Sequence, residues 1–516
     1  MQLVSRLRRS GSLLVMAGFV LSRVTGLLRD MLIYARFGTS AELGAYQAAF
    51  RITDFLYIVI IGGALGSSFI PLFIQVWEHD GRERAWELTS AVVTWALAIL
   101  AVASGILWLL APLLTNWLYG GQGFSPETLA LTSRLTRLFL FSPLLLGLGG
   151  LAMAALNARD RFTLPALAPV AYNVGIIGGA LLAPWFGIWG LAWGVVVGAL
   201  FNVLIQLPGL WQLGMRLRLG FRREMREVGT IARQMAPRVL GQSAAQISAL
   251  ITAVLTARVA LGEERMAGVN LAFQLMLLPY GVFSLSLSTV AFPRLARLYA
   301  DGQHAEMTAN IRRTLGLILT LTIPAAVALV VLRVPIVRLL FQRGAFDMTS
   351  LRYTIGPLIG YATALPAFAA SEILIRAFYA MQETRIPVLV GIGQVTLNLI
   401  FSVIALQSGA GVEGLTLAFS IANNLESIVL FVLLQQRLPS LWQAQSLGRT
   451  VTRAAVASLV LGGILWLVRE QSRQFFPYLG VEGAYLWTHD LLPLMLWLGV
   501  VGMVGAGGYW VGGMKR

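Results

Sequence analysis

At 516 residues, 57% hydrophobic, only 12% charged and with a mean hydropathy of +0.75, the chain is too apolar to be an ordinary water-soluble domain. Its net charge of +16, from 39 Lys and Arg against 23 Asp and Glu, would first point to nucleic acid in a soluble protein, but here no basic cluster accompanies a soluble fold, and no nucleic-acid partner is expected. The lack of cysteine excludes disulfides, thiol catalysis and cysteine metal sites, and His79, His304 and His489 are too scattered to make a metal site.

Apolar stretches long enough to cross about 30 Å of hydrocarbon recur along the whole chain. They predict an all-α polytopic membrane protein with about 14 transmembrane helices. In chain order the spans are 11–33, 44–76, 87–118, 131–156, 163–184, 188–212, 234–257, 267–293, 314–338, 352–379, 386–407, 412–434, 450–468 and 490–511. The first has the basic start and apolar run of a signal peptide, but it continues into Arg23 and Arg29 without a small-residue cleavage site, so it reads as an uncleaved span. With the N-terminus inside, the inward segments hold Arg6, Arg8, Arg9, Arg82, Arg84, Arg159, Arg161, Arg437, Arg449, Arg453, Lys515 and Arg516 among others. The outward segments hold only Arg36, Arg258, Arg265, Arg343, Arg469 and Arg473. This bias predicts cytoplasmic termini and contact of the inner loops with anionic lipid headgroups.

The chain also repeats itself at a constant offset. Ala155-Leu-Asn-Ala158 aligns with Ala377-Phe-Tyr-Ala380, Pro165 with Pro387, Pro71 with Pro293 and Asn202 with Asn424. Six spans per repeat is an even number, so the halves enter from the same side and form parallel repeats, a pattern of transporters whose two lobes rock around a central cavity. The expected organisation is an N-lobe over 1–212, a linker over 213–233, a C-lobe over 234–437 and two additional helices within 438–516. In the linker, Arg216, Arg218, Arg222, Arg223 and Arg226 interleave with Leu217, Leu219, Phe221 and Met225, as in an amphipathic segment on the inner membrane surface.

Charged groups inside spans are expensive in hydrocarbon and mark candidate sites. In span one, Arg23 and Asp30 fall within about 20° of each other around the helix, with Gly26 between them and Arg29 toward a neighbouring face. Two arginines in one span point to a water-filled cavity and an anionic ligand. Arg51 and Asp54 in span two can pair on one face, as can Glu372 and Arg376 in span ten. The amides Asn270 and Gln274, like Gln242, Gln246, Asn173, Asn202, Asn398, Asn423 and Asn424, suit helix-to-helix bonding as well as ligand binding. Glu426 is a lone acid suited to proton or cation coupling.

These segments resemble the MurJ/MviN lipid II flippases of the multidrug/oligosaccharidyl-lipid/polysaccharide exporter superfamily. Ser22-Arg23…Gly26…Arg29-Asp30 looks like that family's first helix, and Phe69-Ile-Pro71 like the end of its second. Leu340-Phe-Gln-Arg-Gly-Ala-Phe346 and Ala377-Phe-Tyr-Ala380-Met-Gln-Glu-Thr384-Arg385-Ile-Pro387 resemble its segments after helices nine and ten. The resemblance implies two six-helix lobes around a central cationic cavity, with two terminal helices forming a lipid-facing groove. It also implies export of the undecaprenyl-pyrophosphate-linked peptidoglycan precursor from the inner to the outer leaflet of the bacterial cytoplasmic membrane. Arg23, Arg29, Asp30 and Arg51 fall where the family has cavity charges. Asp54, Asn270, Gln274, Glu372, Arg376 and Glu426 are the expected gating or coupling positions. The chain departs from the family at Gly44, Tyr57, Ile58, Gly62, Phe273, Gln274 and Leu277, where charged residues are common.

The expected activity is therefore alternating-access translocation of a lipid-linked oligosaccharide, with membrane lipids as the other contacts, no catalytic residue and no metal or cofactor. The alternatives are a flippase for another polyprenyl-linked glycan, a cation-coupled multidrug antiporter, and a non-transporting scaffold. A polymerase of lipid-linked sugars would need a catalytic cluster, and the longest outer loop offers only Glu470, Glu482, His489 and Asp490. No feature identifies a protein partner.

Overall fold

The computed structural model describes residues 2–58, 60, 69–218, 220, 246–442, 447–480, 485, 490 and 492–498. Every regular element among them is a helix. The chain divides into two compact units, Met1–Gln246 and Ile247–Arg516.

The first unit contains α1 (Gln2–Phe37), α2 (Ala41–Tyr57), α3 (Ile70–His79), α4 (Gly81–Tyr119), α5 (Pro126–Phe139), α6 (Phe141–Asn157), α7 (Thr163–Phe186), α8 (Ile188–Leu204) and α9 (Leu207–Gln212). Local chemistry sets several of these boundaries. The Ser40 hydroxyl accepts the Leu43 N–H at the start of α2, and the Ser125 hydroxyl accepts the Thr128 N–H at the start of α5, where Pro126 occupies the first turn. Gly187, at φ +56°, ends α7 in a conformation that a side chain would strain.

The second unit contains α10 (Gln246–Thr256), α11 (Gly262–Pro279), α12 (Ser286–Ala300), α13 (His304–Val331), α14 (Arg333–Phe341), α15 (Met348–Ala380), α16 (Arg385–Gln407), α17 (Gly411–Arg437) and α18 (Arg449–Ser472). A π-helical turn, Tyr280–Leu285, joins α11 to α12. Ten helices are long and apolar enough to cross a bilayer among the described residues. The expected spans 44–76, 234–257 and 490–511 lie in part outside the described residues.

The helix boundaries carry the sequence offset. The shift that carries Pro165 onto Pro387 also carries the end of α2, at Tyr57, onto the end of α11, at Pro279, and the start of α7, at Thr163, onto the start of α16, at Arg385. The N-cap Ser125 of α5 corresponds to Asp347, whose carboxylate accepts the Ser350 N–H at the start of α15. The halves differ locally. Leu140 divides α5 from α6, whereas α15 runs unbroken across the corresponding position. Conversely α4 is continuous where Leu332 separates α13 from α14.

The beginning of the linker is not helical. From Met215 to Arg218 the chain runs along α4. There the Arg218 N–H donates to the Ser90 hydroxyl at 3.1 Å and the Gly220 N–H donates to Thr94 at 3.2 Å. Arg216 pairs with Glu83 at 3.3 Å. Arg222, Arg223 and Arg226, which complete the expected amphipathic pattern, lie outside the described residues.

Candidate functional site

In the first unit, the polar residues of α1 face α7. Asn173 is the lone amide in the apolar run of α7 and is 5% exposed. Its Nδ2 donates to the Ser22 carbonyl and to the Thr25 hydroxyl, each at 3.2 Å, and its Oδ1 accepts from Arg29 Nη1 at 3.0 Å. The Thr25 hydroxyl itself donates back to the Leu21 carbonyl at 2.9 Å. Gly26 lies beside this amide: a Cβ there would come 3.6 Å from Asn173 Nδ2, an ordinary contact. The guanidinium of Arg29 also reaches round the helix to Asp30, with Nε and Nη2 at 2.9 and 2.8 Å from Oδ1. A long side chain thus closes the roughly 100° that separates adjacent residues on the helix. Arg29 is fixed between a carboxylate and an amide while N–H groups remain for a further acceptor. Arg23, nearly two turns toward the N-terminus, is exposed.

Tyr46 and Tyr172 lie within electrostatic reach of Arg29. Tyr34 is almost fully buried beside Asp30. On α2, Asp54 lies within electrostatic reach of Arg51, three residues away on the same helix, and of Tyr172. The first unit therefore brings Arg29, Asp30, Arg51 and Asp54 into one region spanning α1, α2 and α7. The tyrosines and Asn173 were not singled out by sequence as members of this site. The signal for Asn173 was its isolation in an otherwise apolar span.

In the second unit the charges form a separate network. Arg376 Nε donates to Glu372 Oε1 at 2.9 Å, and Tyr280, the first residue of the π turn, donates its hydroxyl to Glu372 Oε2 at 2.8 Å. Arg376 Nη1 also reaches Thr289 Oγ1 on α12 at 3.0 Å. This arrangement ties α15 to both sides of the π turn. Asn270 and Gln274 are half-buried one turn apart on α11. Between and beside them, Phe273 packs edge-on against Tyr361 and Phe419 at centroid distances of 5.2 and 6.0 Å. Tyr361 and Phe419 also meet, at 5.3 Å, so the three rings form one aromatic cluster. Glu426 is half-buried on α17, while Asn423 and Asn424 bond back to the Phe419 and Ser420 carbonyls of their own helix.

Residues 33–484 match the family described as Lipid II flippase MurJ. The chain is 31% identical over 468 residues to the Lipid II flippase MurJ of Burkholderia cenocepacia, covering 88% of this chain and 89% of that protein. The chain belongs to the MurJ family. It is also 29% identical to the Probable lipid II flippase MurJ of Rhizobium tropici, covering 92% of this chain and 89% of that protein. In fold it is similar to a MurJ structure in an inward closed conformation, with a TM-score of 0.77 at 24% identity, covering 96% of this chain and 99% of that one. A multidrug resistance MATE family transporter of the MOP superfamily, in an inward-facing conformation, shares the fold at a TM-score of 0.68 and 17% identity, covering 81% of this chain and 95% of that one. MurJ membership and the apolar helices make this a multi-pass bacterial membrane protein of a transporter family.

Proposed function

We propose that the protein carries lipid II, the undecaprenyl-diphosphate-linked peptidoglycan precursor, from the inner to the outer leaflet of the cytoplasmic membrane. The observation that carries this reading within the molecule is the α1 site, where Arg23 is exposed and Arg29 is held between Asp30 and Asn173. Unaided transfer of a diphosphate would strip its hydration in hydrocarbon. Guanidinium groups replace that hydration with charge-assisted, often bidentate hydrogen bonds to phosphate. Arg29 is preoriented for this task, and Arg23 supplies the second positive charge. The polyprenyl tail stays in lipid while the lobes, at 1–212 and 234–437, alternate the head between the two sides. Arg51 completes the head-binding region. Asp54, Asn270, Gln274, Glu372, Arg376 and Glu426 belong to gating and coupling. Both termini lie in the cytoplasm, in keeping with the arginine-rich inward segments. An inward-negative potential favours return of the empty cationic site by about 2.3 kcal/mol per charge per 100 mV.

The deciding experiment is lipid II translocation in proteoliposomes containing only this protein, with a potential applied. Wild type should transport, and Arg23→Ala/Arg29→Ala should not. Full activity of that double variant would defeat the proposed site, and no activity in a folded wild type would defeat the substrate assignment.

A further inference from the structure

Two arginines of α5 take no part in the α1 site. Ala130, Arg134 and Arg137 recur at helical spacing along an open stripe that Phe141, 54% exposed, continues. Arg134 is exposed and Arg137 half-buried. The opposite side of α5 is buried against α2, where Phe139 meets the rings of Tyr46 and Phe50 at 5.2 and 5.9 Å. Beside the open stripe runs α4, a span in whose most apolar stretch only 17% of the residues are buried. Val102, Ile106, Leu109, Leu113 and Trp117 each stand more than half exposed on it. In a multi-pass membrane protein such a face meets lipid.

A proline holds Arg137 in place. The Trp108 carbonyl of α4 would ordinarily accept the N–H of residue 112, but Pro112 has none. Arg137 Nε takes that free acceptor at 3.0 Å, and its guanidinium carbon lies 4.6 Å from the centre of the Trp108 ring. Its two Nη atoms keep their N–H groups for other acceptors. Among the described residues Arg134 has no polar partner, and no carboxylate pairs with either arginine. The second half has Gly356, Ile359 and Val334 at the positions of Arg134, Arg137 and Pro112, so the repeated architecture does not require the two charges.

Depth makes these donors consequential. α5 begins at Pro126, which puts Arg134 and Arg137 about 12 and 16 Å along the helix, inside a hydrocarbon layer of about 30 Å. A guanidinium at such a depth is costly unless an anion or water reaches it. Side chains lean toward the N-terminus of their helix, so both arginines lean toward the membrane surface at the Ser125 end.

We propose that Arg134 and Arg137 bind the phosphate of an anionic glycerophospholipid from the leaflet on the Ser125 side, drawn below the level of its neighbours, with an acyl chain along Leu109, Ile106 and Val102 of α4. The phosphate oxygens accept from both guanidiniums, whose forked donors suit them. Leu109, Ile106 and Val102 lead from the level of the arginines toward the far leaflet, the direction an acyl chain takes. Helices that associate within lipid favour small residues at their contacts. At the level of the arginines this face projects Leu109, Leu113 and Trp117, which suits a flexible chain better than a partner helix carrying a carboxylate. The site lies within the first unit and stands independently of the flippase reading.

The test uses the full-length protein in phosphatidylcholine proteoliposomes. The chain has no native cysteine, so Val102→Cys places a single bimane fluorophore on the acyl track. Brominated phosphatidylglycerol and brominated phosphatidylcholine, each at low mole fraction, are compared as quenchers. Phosphatidylglycerol should be preferred about tenfold at this position. Arg134→Gln/Arg137→Gln should bring the preference close to one, and Arg134→Lys/Arg137→Lys, which keeps the charge and loses the fork, should retain part of it. Arg352→Gln, an exposed arginine of α15 away from this face, should leave it unchanged. Equal quenching by the two lipids in the otherwise native protein overturns the proposal and leaves the face to ordinary lipid or to an acidic membrane helix. A preference that survives Arg134→Gln/Arg137→Gln overturns it as well, because the charge that selects the lipid then lies elsewhere.

Discussion

Asn173 is the residue on which the geometry of α1 turns. One amide donates to the backbone and a hydroxyl of α1 and accepts from Arg29, so it orients the arginine as well as joining two helices. Interhelical bonds of this kind contribute about 0.6 kcal/mol each, with a maximum near 1.7. Asn173→Leu should therefore lower stability by about 1–2 kcal/mol. It should reduce transport more than that loss explains, because Arg29 is released from one side. Thermal unfolding in detergent beside proteoliposome transport checks this; an unchanged transport rate would show that the amide serves packing alone. The pair Glu372 and Arg376 calls for a different measurement. Both side chains are about one-fifth exposed. A double-mutant cycle with Glu372→Gln and Arg376→Gln should give a coupling of about 0.5–1 kcal/mol, since screening weakens a partly exposed pair. A coupling near zero would mean that the pair adds no stability within α15.

At the scale of elements, α7 and α8 show how helices associate where lipid removes the hydrophobic drive between them. Gly175 and Gly179 on α7 meet Gly190, Gly194 and Gly198 on α8, a small-xxx-small pattern on both helices. A Cβ at Gly175 would fall 2.3 Å from the Gly198 Cα, and one at Gly179 would fall 2.5 Å from the Gly190 carbonyl. Neither neighbour is a flexible side chain, so the helices would have to part. Gly175→Ala should destabilise the protein by about 1–3 kcal/mol. Gly178→Ala, on the same helix but with nothing within 4 Å, should be neutral or slightly stabilising through helix propensity. Equal melting temperatures for the two variants would contradict the close contact. The segment 215–218 illustrates another influence on element type. Its alternating arginines and leucines suit a surface helix, but Ser90 and Thr94 capture the backbone N–H groups of Arg218 and Gly220, and the chain from 215 to 218 is not helical.

For the molecule as a whole, the repeat is written twice, in residues and in helix boundaries. The expected topology follows from an even number of spans per repeat and from where the arginines fall. A natural chain without cysteine makes that topology directly measurable. Gln122→Cys, in the exposed turn between α4 and α5, should react with an impermeant maleimide on intact spheroplasts. Gln303→Cys, between α12 and α13, should react only after permeabilisation. The reverse pattern would invert the orientation.

Composition, span length and the constant offset between the halves were sufficient to establish an all-helical membrane protein with a repeated architecture, because hydropathy and helix period are local properties written along one dimension. The same reading found Arg23, Arg29, Asp30 and the Glu372–Arg376 spacing, since charge inside an apolar run stands out without any knowledge of neighbours. It did not reveal that Asn173 would hold Arg29 or that Tyr280 would bond Glu372 across a π turn. These partners are far apart along the chain, by 144 and 92 residues. Tertiary packing alone decides such meetings, because which face of one helix meets which face of another depends on the shapes of both, and a single helix's sequence carries only its own.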